Sequence, residues 1–157
     1  MNPPISDADL MALNVFMEAR GESKDGQAAV AKVVLNRTRM KYCSHGTIES
    51  TILWPNAFSW TQWAMVHNIY QRIAFTQAQQ EAHVYSCFVN SEKNIGWTLV
   101  KNVTDAVLNG TFKSPAFDHI TDDTVLYYNP SATRGIPSWA DPNKLVTVIG
   151  RHWFFSA

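Results

Sequence analysis

The sequence predicts an α+β fold: a mainly helical lobe followed by a small C-terminal antiparallel β-sheet. Three observations carry this. Apolar residues recur at helical spacing up to about Gly110, and β-prone runs appear only after it. A loop rich in Pro, Gly, Ser and Asn, residues 129–143, then separates the first of those runs from the other two. The 157 residues are expected to form one domain, 1–157.

The elements come in this order. Ser6 with Asp9 three residues later reads as a capping-box-like helix start, and Asp7 and Asp9 put negative charge where the helix dipole favours it. Leu10, Leu13, Asn14 and Met17 make one stripe; Met11, Val15 and Glu18 make the adjacent one. Gly21 is placed to end this helix in the left-handed conformation. A second helix, about 26–39, is capped by Ser23 or Asp25 and buries Ala29, Val30, Val33, Val34 and Arg37. Its small residues, Gly26, Ala28, Ala29 and Ala31, let the first helix come close. Thr47 caps a short helix that Pro55 ends. PNAFSWTQW is a turn carrying Phe58, Trp60 and Trp63. Thr76 with Gln79 opens another helix, with Ala78, Ala82, Tyr85 and Val89 on one face. The next, about 96–109, turns Leu99, Val103, Ala106 and Val107 inward and stops at Gly110. Strands are predicted at 124–128, 145–149 and 151–155, with Gly150 as a bend.

Charge and composition narrow the function. Lys+Arg and Asp+Glu both number 13, which gives no basic surface for nucleic acid and no attraction to anionic lipid. The two cysteines read as free thiols rather than a disulfide framework. The first ten residues lack a basic n-region and an apolar h-region, and no window is long and apolar enough to insert into a membrane. The protein is therefore expected in the cytoplasm before any release. His45, His67, His83, His119 and His152 show no metal-ligand spacing, so neither metal nor cofactor is expected. Six Trp, five Tyr and eight Phe are a heavy aromatic load, which serves either a core or a groove for flat ligands such as sugars.

Three chemistries compete. Cys43 and His45 match a Cys/His amidase or peptidase by residue type, but neighbours in one loop are not the arrangement such sites need. The aromatic loops also suit a non-catalytic wall-binding module. Glu18 is the third option. Packed beside Met11, Val15 and the second helix, its carboxyl is partly desolvated, which favours the neutral acid. A protonated Glu is what glycosidic cleavage requires. A solvated Glu on a helix edge is the plainer reading, and pattern alone leaves both open. Glu22 reads as a support that pairs with Arg20 or Arg37 or orients the turn.

Glu18-Ala19-Arg20-Gly21-Glu22, Gly26-Gln27-Ala28-Ala29-Val30-Ala31 and Val33-Val34-Leu35-Asn36-Arg37 resemble the signature of the spore-cortex-lytic enzyme (SleB) cell wall hydrolase family. Ala57-Phe58-Ser59-Trp60, Tyr127-Tyr128-Asn129-Pro130 with Ser138-Trp139, and Ile149-Gly150-Arg151-His152-Trp153-Phe154 come in the family's order. The resemblance implies a lysozyme-like, lytic-transglycosylase-like domain that cleaves peptidoglycan glycan strands between N-acetylmuramic acid and N-acetylglucosamine. It implies Glu18 as the catalytic residue, with the muramic acid 6-hydroxyl attacking in place of water; a hydrolytic muramidase is the alternative. Phe58, Trp60, Tyr128 and Trp139 are then expected to face sugar rings, and Ser59, Thr61 and Asn129 to hydrogen-bond them. Glu22, Arg20 and Arg37 support the acid. Asp118, Asp122 and Asp123 are expected in a solvated loop, and His152 as a structural histidine. The middle, roughly 62–95, looks enlarged against the family. A compact muralytic domain of this kind resembles a phage endolysin, expected to be a monomer released by a holin-type partner.

Overall fold

The computed structural model describes residues 1–62 and 76–157. Trp63, His67 and part of the enlarged middle lie outside the described residues. Helix α1, Asp7–Ala19, runs through the core: Leu10 to Phe16 are all buried, and α1 is packed by helices from both halves of the chain. The Ser6 hydroxyl caps it by accepting from the Asp9 N–H at 3.1 Å. The reciprocal half of the capping box is missing, because the Asp9 carboxylate reaches Lys101 at 3.3 Å instead. Met17, which the sequence groups in one stripe with the buried Leu10, Leu13 and Asn14, is exposed.

Gly21 does not adopt the left-handed conformation. The helix ends at Arg20 with φ −58°, and the Glu22 N–H bonds the Ala19 carbonyl at 2.9 Å. The missing side chain matters for another reason: a Cβ at Gly21 would lie 3.1 Å from the Arg151 guanidinium. Ser23 caps α2, Lys24–Met40, which buries Ala28 to Ala31, Val33, Val34, Asn36 and Arg37. The polar end of that face pins the first strand. Asn36 Nδ2 donates to the carbonyls of Thr121 and Thr124, both at 2.9 Å, and Arg37 Nε donates to the Val125 carbonyl at 2.6 Å.

Helix α3, Ile48–Ile52, has the Thr47 cap, and a 3-10 turn at Ser59–Gln62 comes after it. Helix α4, Gln77–Glu92, opens with the full Thr76/Gln79 capping box. Val84, Cys87, Phe88 and Ser91 face the core, while Ala78, Ala82 and Tyr85, which the sequence groups on one face, are exposed. In α5, Trp97–Leu108, Leu99 is exposed in the same way, and Trp97, Val100, Val103, Thr104 and Val107 are buried. The cause is shared. Trp97 packs edge-on against both Phe16 and Phe88, with centroids 5.8 Å apart in each pair, and the large rings set both helix rotations. Gly110 follows α5 at φ +77°, as the sequence predicts.

The short helix α6, Pro115–Asp118, is an addition to the elements the sequence predicts; Ser114 caps it. The sheet is antiparallel, with β1 (Thr124–Tyr128), β2 (Leu145–Ile149) and β3 (His152–Ser156) in the order β1-β3-β2. Gly150, at φ +58°, makes the β2–β3 turn. Tyr127, His152 and Phe154 face the helices, whereas Tyr128 and Phe155 pack with Ala140 on the other side. No described helix is long and apolar enough to cross a membrane.

Candidate active site

Glu18 occupies the last turn of α1, partly buried, with the inner face of β1 opposite. The Tyr127 hydroxyl donates to Glu18 Oε2 at 2.8 Å. Burial raises the Glu18 carboxyl above its ordinary value; the Tyr127 hydrogen bond and the nearby Arg37 charge pull less strongly the other way. Burial and the Glu18 carboxylate lift the Tyr127 phenol well above its usual range, so it remains a donor. With Oε2 occupied, Oε1 is the oxygen left to carry a proton toward a ligand; among the described residues it has no hydrogen bond.

Arg37 is buried beneath this pair. Its guanidinium lies over the Phe58 ring at 5.3 Å, and burial lowers its pKa, though a guanidinium stays charged at neutral pH. Arg37 and Tyr127 belong to the wall of a cleft of about 230 Å³ that also holds Tyr42, Cys43, Trp54 and Trp139.

Glu22 is held quite differently. Its side chain is 7% exposed, and Oε1 accepts from Arg151 Nε at 2.9 Å. Oε2 lies where a Cβ at Gly150 would come within 2.7 Å, so the β2–β3 turn sits directly on this carboxylate. Its partner is therefore neither Arg20 nor Arg37. The Arg20 guanidinium lies over the Phe16 ring at 5.2 Å, on its own helix. His152 is buried beside Glu22, with Nδ1 3.6 Å from Oε1, too far for a hydrogen bond. Burial lowers its pKa, and its ring packs edge-on against Tyr127 at 5.2 Å.

The aromatic residues divide. Trp60 is buried, and its indole N–H donates to Asn14 Oδ1 at 2.8 Å. Phe58 is buried under Arg37, and the Thr61 hydroxyl donates to the Phe58 carbonyl. These three are core residues in this structure and present no face to a ligand. Tyr128 is buried too, edge-on to Trp139 and stacked with Phe155. Asn129 Oδ1 accepts from the Ser131 N–H and shapes the turn after β1. Ser59 is exposed, and Trp139, 37% exposed, lines the cleft.

A model of the cell wall hydrolase family matches residues 21–155. The chain belongs to the cell wall hydrolase family. The catalytic domain of the germination-specific lytic transglycosylase SleB of Bacillus anthracis matches with a TM-score of 0.57 at 25% identity, over 96% of this chain and 93% of that one. The SleB catalytic domain of Bacillus cereus matches with the same TM-score at 27% identity, over 96% and 89%. A search of curated proteins gives no match. The fold of this cell wall hydrolase is thus the lysozyme-like one of the SleB lytic transglycosylase domains. The family match begins just after Glu18, so the part played by that residue rests on its geometry.

Tyr127 is the site residue that sequence reasoning missed. Strand alternation says only that one of two adjacent tyrosines faces the helices, not which one. The Cys/His pairing is not supported at Cys43, since the His45 ring packs on Trp54 at 5.0 Å. The Cys/His contact among the described residues joins Cys87 and His83 at 3.6 Å in α4, and burial pushes the Cys87 thiol up, away from the thiolate. No metal-binding cluster occurs among the described residues.

Proposed function

We propose that this cell wall hydrolase cleaves peptidoglycan glycan strands as a lytic transglycosylase, with Glu18 as both acid and base. Glycosidic cleavage needs a proton on the leaving oxygen as the C1–O4 bond breaks. A Glu18 carboxyl raised by burial is suited to give it from Oε1. The resulting carboxylate then takes the proton of the muramic acid 6-hydroxyl, while O6 bonds to C1 and closes a 1,6-anhydro ring. One carboxyl group serves both steps, and no water is consumed.

The observation that carries the reading is the Glu18–Tyr127 hydrogen bond in a partly buried site. A phenol orients the carboxyl without adding a positive charge, and burial outweighs its downward pull on the Glu18 pKa. The likeness to a SleB lytic transglycosylase domain supports the same reading.

Mass spectrometry of digested peptidoglycan tests it. The reading requires 1,6-anhydromuramoyl ends; reducing muramic acid ends would make the enzyme a hydrolytic muramidase. Release from the cytoplasm by a holin-type partner, as for a phage endolysin, belongs to this reading. Its test is expression in bacteria with and without a membrane-permeabilising partner, and lysis without one would count against it.

A further inference from the structure

Trp54 and Pro55 line two clefts. One is the cleft of about 230 Å³ that holds Tyr127, Arg37 and Trp139. The other, about 710 Å³, lies between α3 and the start of α4, with His45, Ser50, Gln77, Gln80 and Glu81 in its wall. A chain bound beside Tyr127 that crosses Trp54 therefore enters the larger cleft. We propose that this larger cleft binds the uncleaved N-acetylhexosamine units of the glycan strand, taking the neutral sugar backbone rather than the peptide stem.

The chemistry of the wall supports that ligand. The His45 ring braces Trp54 at 5.0 Å, giving a fixed aromatic face of the kind a pyranose ring packs on. Around it stand the neutral amides of Gln77, whose Nε2 donates to Glu81 Oε1 at 3.2 Å, and of Gln80, whose Nε2 reaches the Leu53 carbonyl at 3.5 Å, with the hydroxyls of Thr47 and Ser50 beside them. Amides both donate and accept, which suits sugar hydroxyls and acetamido groups. Among the described residues, the wall contains Glu49 and Glu81 but no Lys or Arg. Glu49 is already paired with the Met1 amino group at 2.7 Å, and Glu81 accepts from the Asn2 N–H at 3.2 Å. A stem peptide rich in carboxylates would find no unpaired cation among these described residues. Binding energy gathered on distant sugars can be spent on orienting the scissile bond, so such a cleft favours long strands.

This inference rests on the glycosidase reading, and the test separates the two. Chitohexaose, a neutral N-acetylglucosamine oligomer, is titrated into the Glu18→Gln protein while side-chain N–H signals are followed by NMR. The Trp54 indole and the Gln77 and Gln80 amides are expected to shift together with the Trp139 indole. Gln77→Ala, which leaves the Thr76/Gln79 cap intact, should weaken chitohexaose binding by about 2- to 10-fold, the range of one neutral hydrogen bond. In the active enzyme the same variant should raise KM on long strands, leave kcat unchanged, and have no effect on a tetrasaccharide. Shifts at Trp139 with none at Trp54, Gln77 and Gln80 would overturn the inference and leave the glycosidase reading standing. Shifts at those residues caused by free stem peptide would also overturn it. No shift at either cleft, with no cleavage of peptidoglycan, would overturn both.

Discussion

The last turn of α1 and the turn after it hold two carboxylates, Glu18 and Glu22, in opposite ways. Both are drawn out of water, and both contact the sheet. Glu18 meets a neutral phenol on β1, at 2.8 Å from Tyr127. Glu22 meets a guanidinium at the β2–β3 turn, at 2.9 Å from Arg151. Desolvation alone makes a carboxylate costly, and the partner decides its fate. A cation compensates the charge and yields a clamp. A phenol orients the group and lowers its pKa by less than burial raises it. On the proposed function, two carboxylates one helical turn apart in sequence divide into a chemical group and a structural one by the partner that hydrogen-bonds each.

The largest effect expected from this contrast comes from replacing each carboxylate by its amide. Glu18→Gln keeps shape and loses the proton, so clearing of a peptidoglycan suspension should slow by roughly 10²-fold or more. Near-normal clearing by a folded Glu18→Gln would remove Glu18 from the mechanism. Tyr127→Phe comes next. It strips the donor from Oε2 and frees the carboxyl to rotate, and a loss on the order of tenfold in kcat is expected, the worth of one hydrogen bond to a charged group. Because that bond holds the Glu18 pKa down, the limb of the pH profile that reports loss of the acid should move to higher pH. A shift to lower pH would contradict the arrangement.

Glu22→Gln should act mainly on stability. Arg151 is 61% exposed and screened by water, so the loss is placed at about 1–2 kcal/mol, read from a denaturant melt, with kcat changed far less than by Glu18→Gln. Trp60→Phe should cost about 1 kcal/mol through the lost Asn14 hydrogen bond, with KM unchanged. A rise in KM without loss of stability would return Trp60 to the sugar-binding role that the sequence suggests.

The smallest effect concerns pH and stability. The folded state raises the Glu18 pKa above its ordinary value of 4.5, so folding favours the proton. As pH rises past that value the unfolded chain releases its proton first, and the native state loses stability until the folded group has also ionised. Glu18→Gln removes this loss. Its melting temperature relative to wild type should therefore be higher at pH 7 than at pH 4. An identical difference at both would show that the carboxyl is not perturbed.

Local features are readable in the sequence. Ser6, Ser23, Thr47, Thr76 and Gly110 mark helix ends because capping is settled within three or four residues. The strands can be placed to within a residue, since alternation is also local. The features that escape depend on partners distant in the chain. The rotations of α4 and α5 follow Trp97 and the rings it meets, and no stripe within either helix records that. Trp60 reads as a loop-borne sugar platform until Asn14, from α1, takes its indole N–H. Glu22 finds Arg151 near the far end of the sequence. Tyr127 is harder still. The irregularity between Thr124 and Leu126 shifts the strand register, so counting alternate residues does not reveal which tyrosine turns inward.

Everything proposed for the reaction depends on Glu18 being a carboxyl whose proton is favoured by its site and oriented by a phenol. Carbon-13 NMR of the labelled Glu18 side-chain carboxyl, followed across pH in the wild-type protein, reads this without an intermediary. The midpoint is expected above 4.5, moving higher still in Tyr127→Phe. A midpoint at or below 4.5, or one that falls when the phenol is removed, would contradict it.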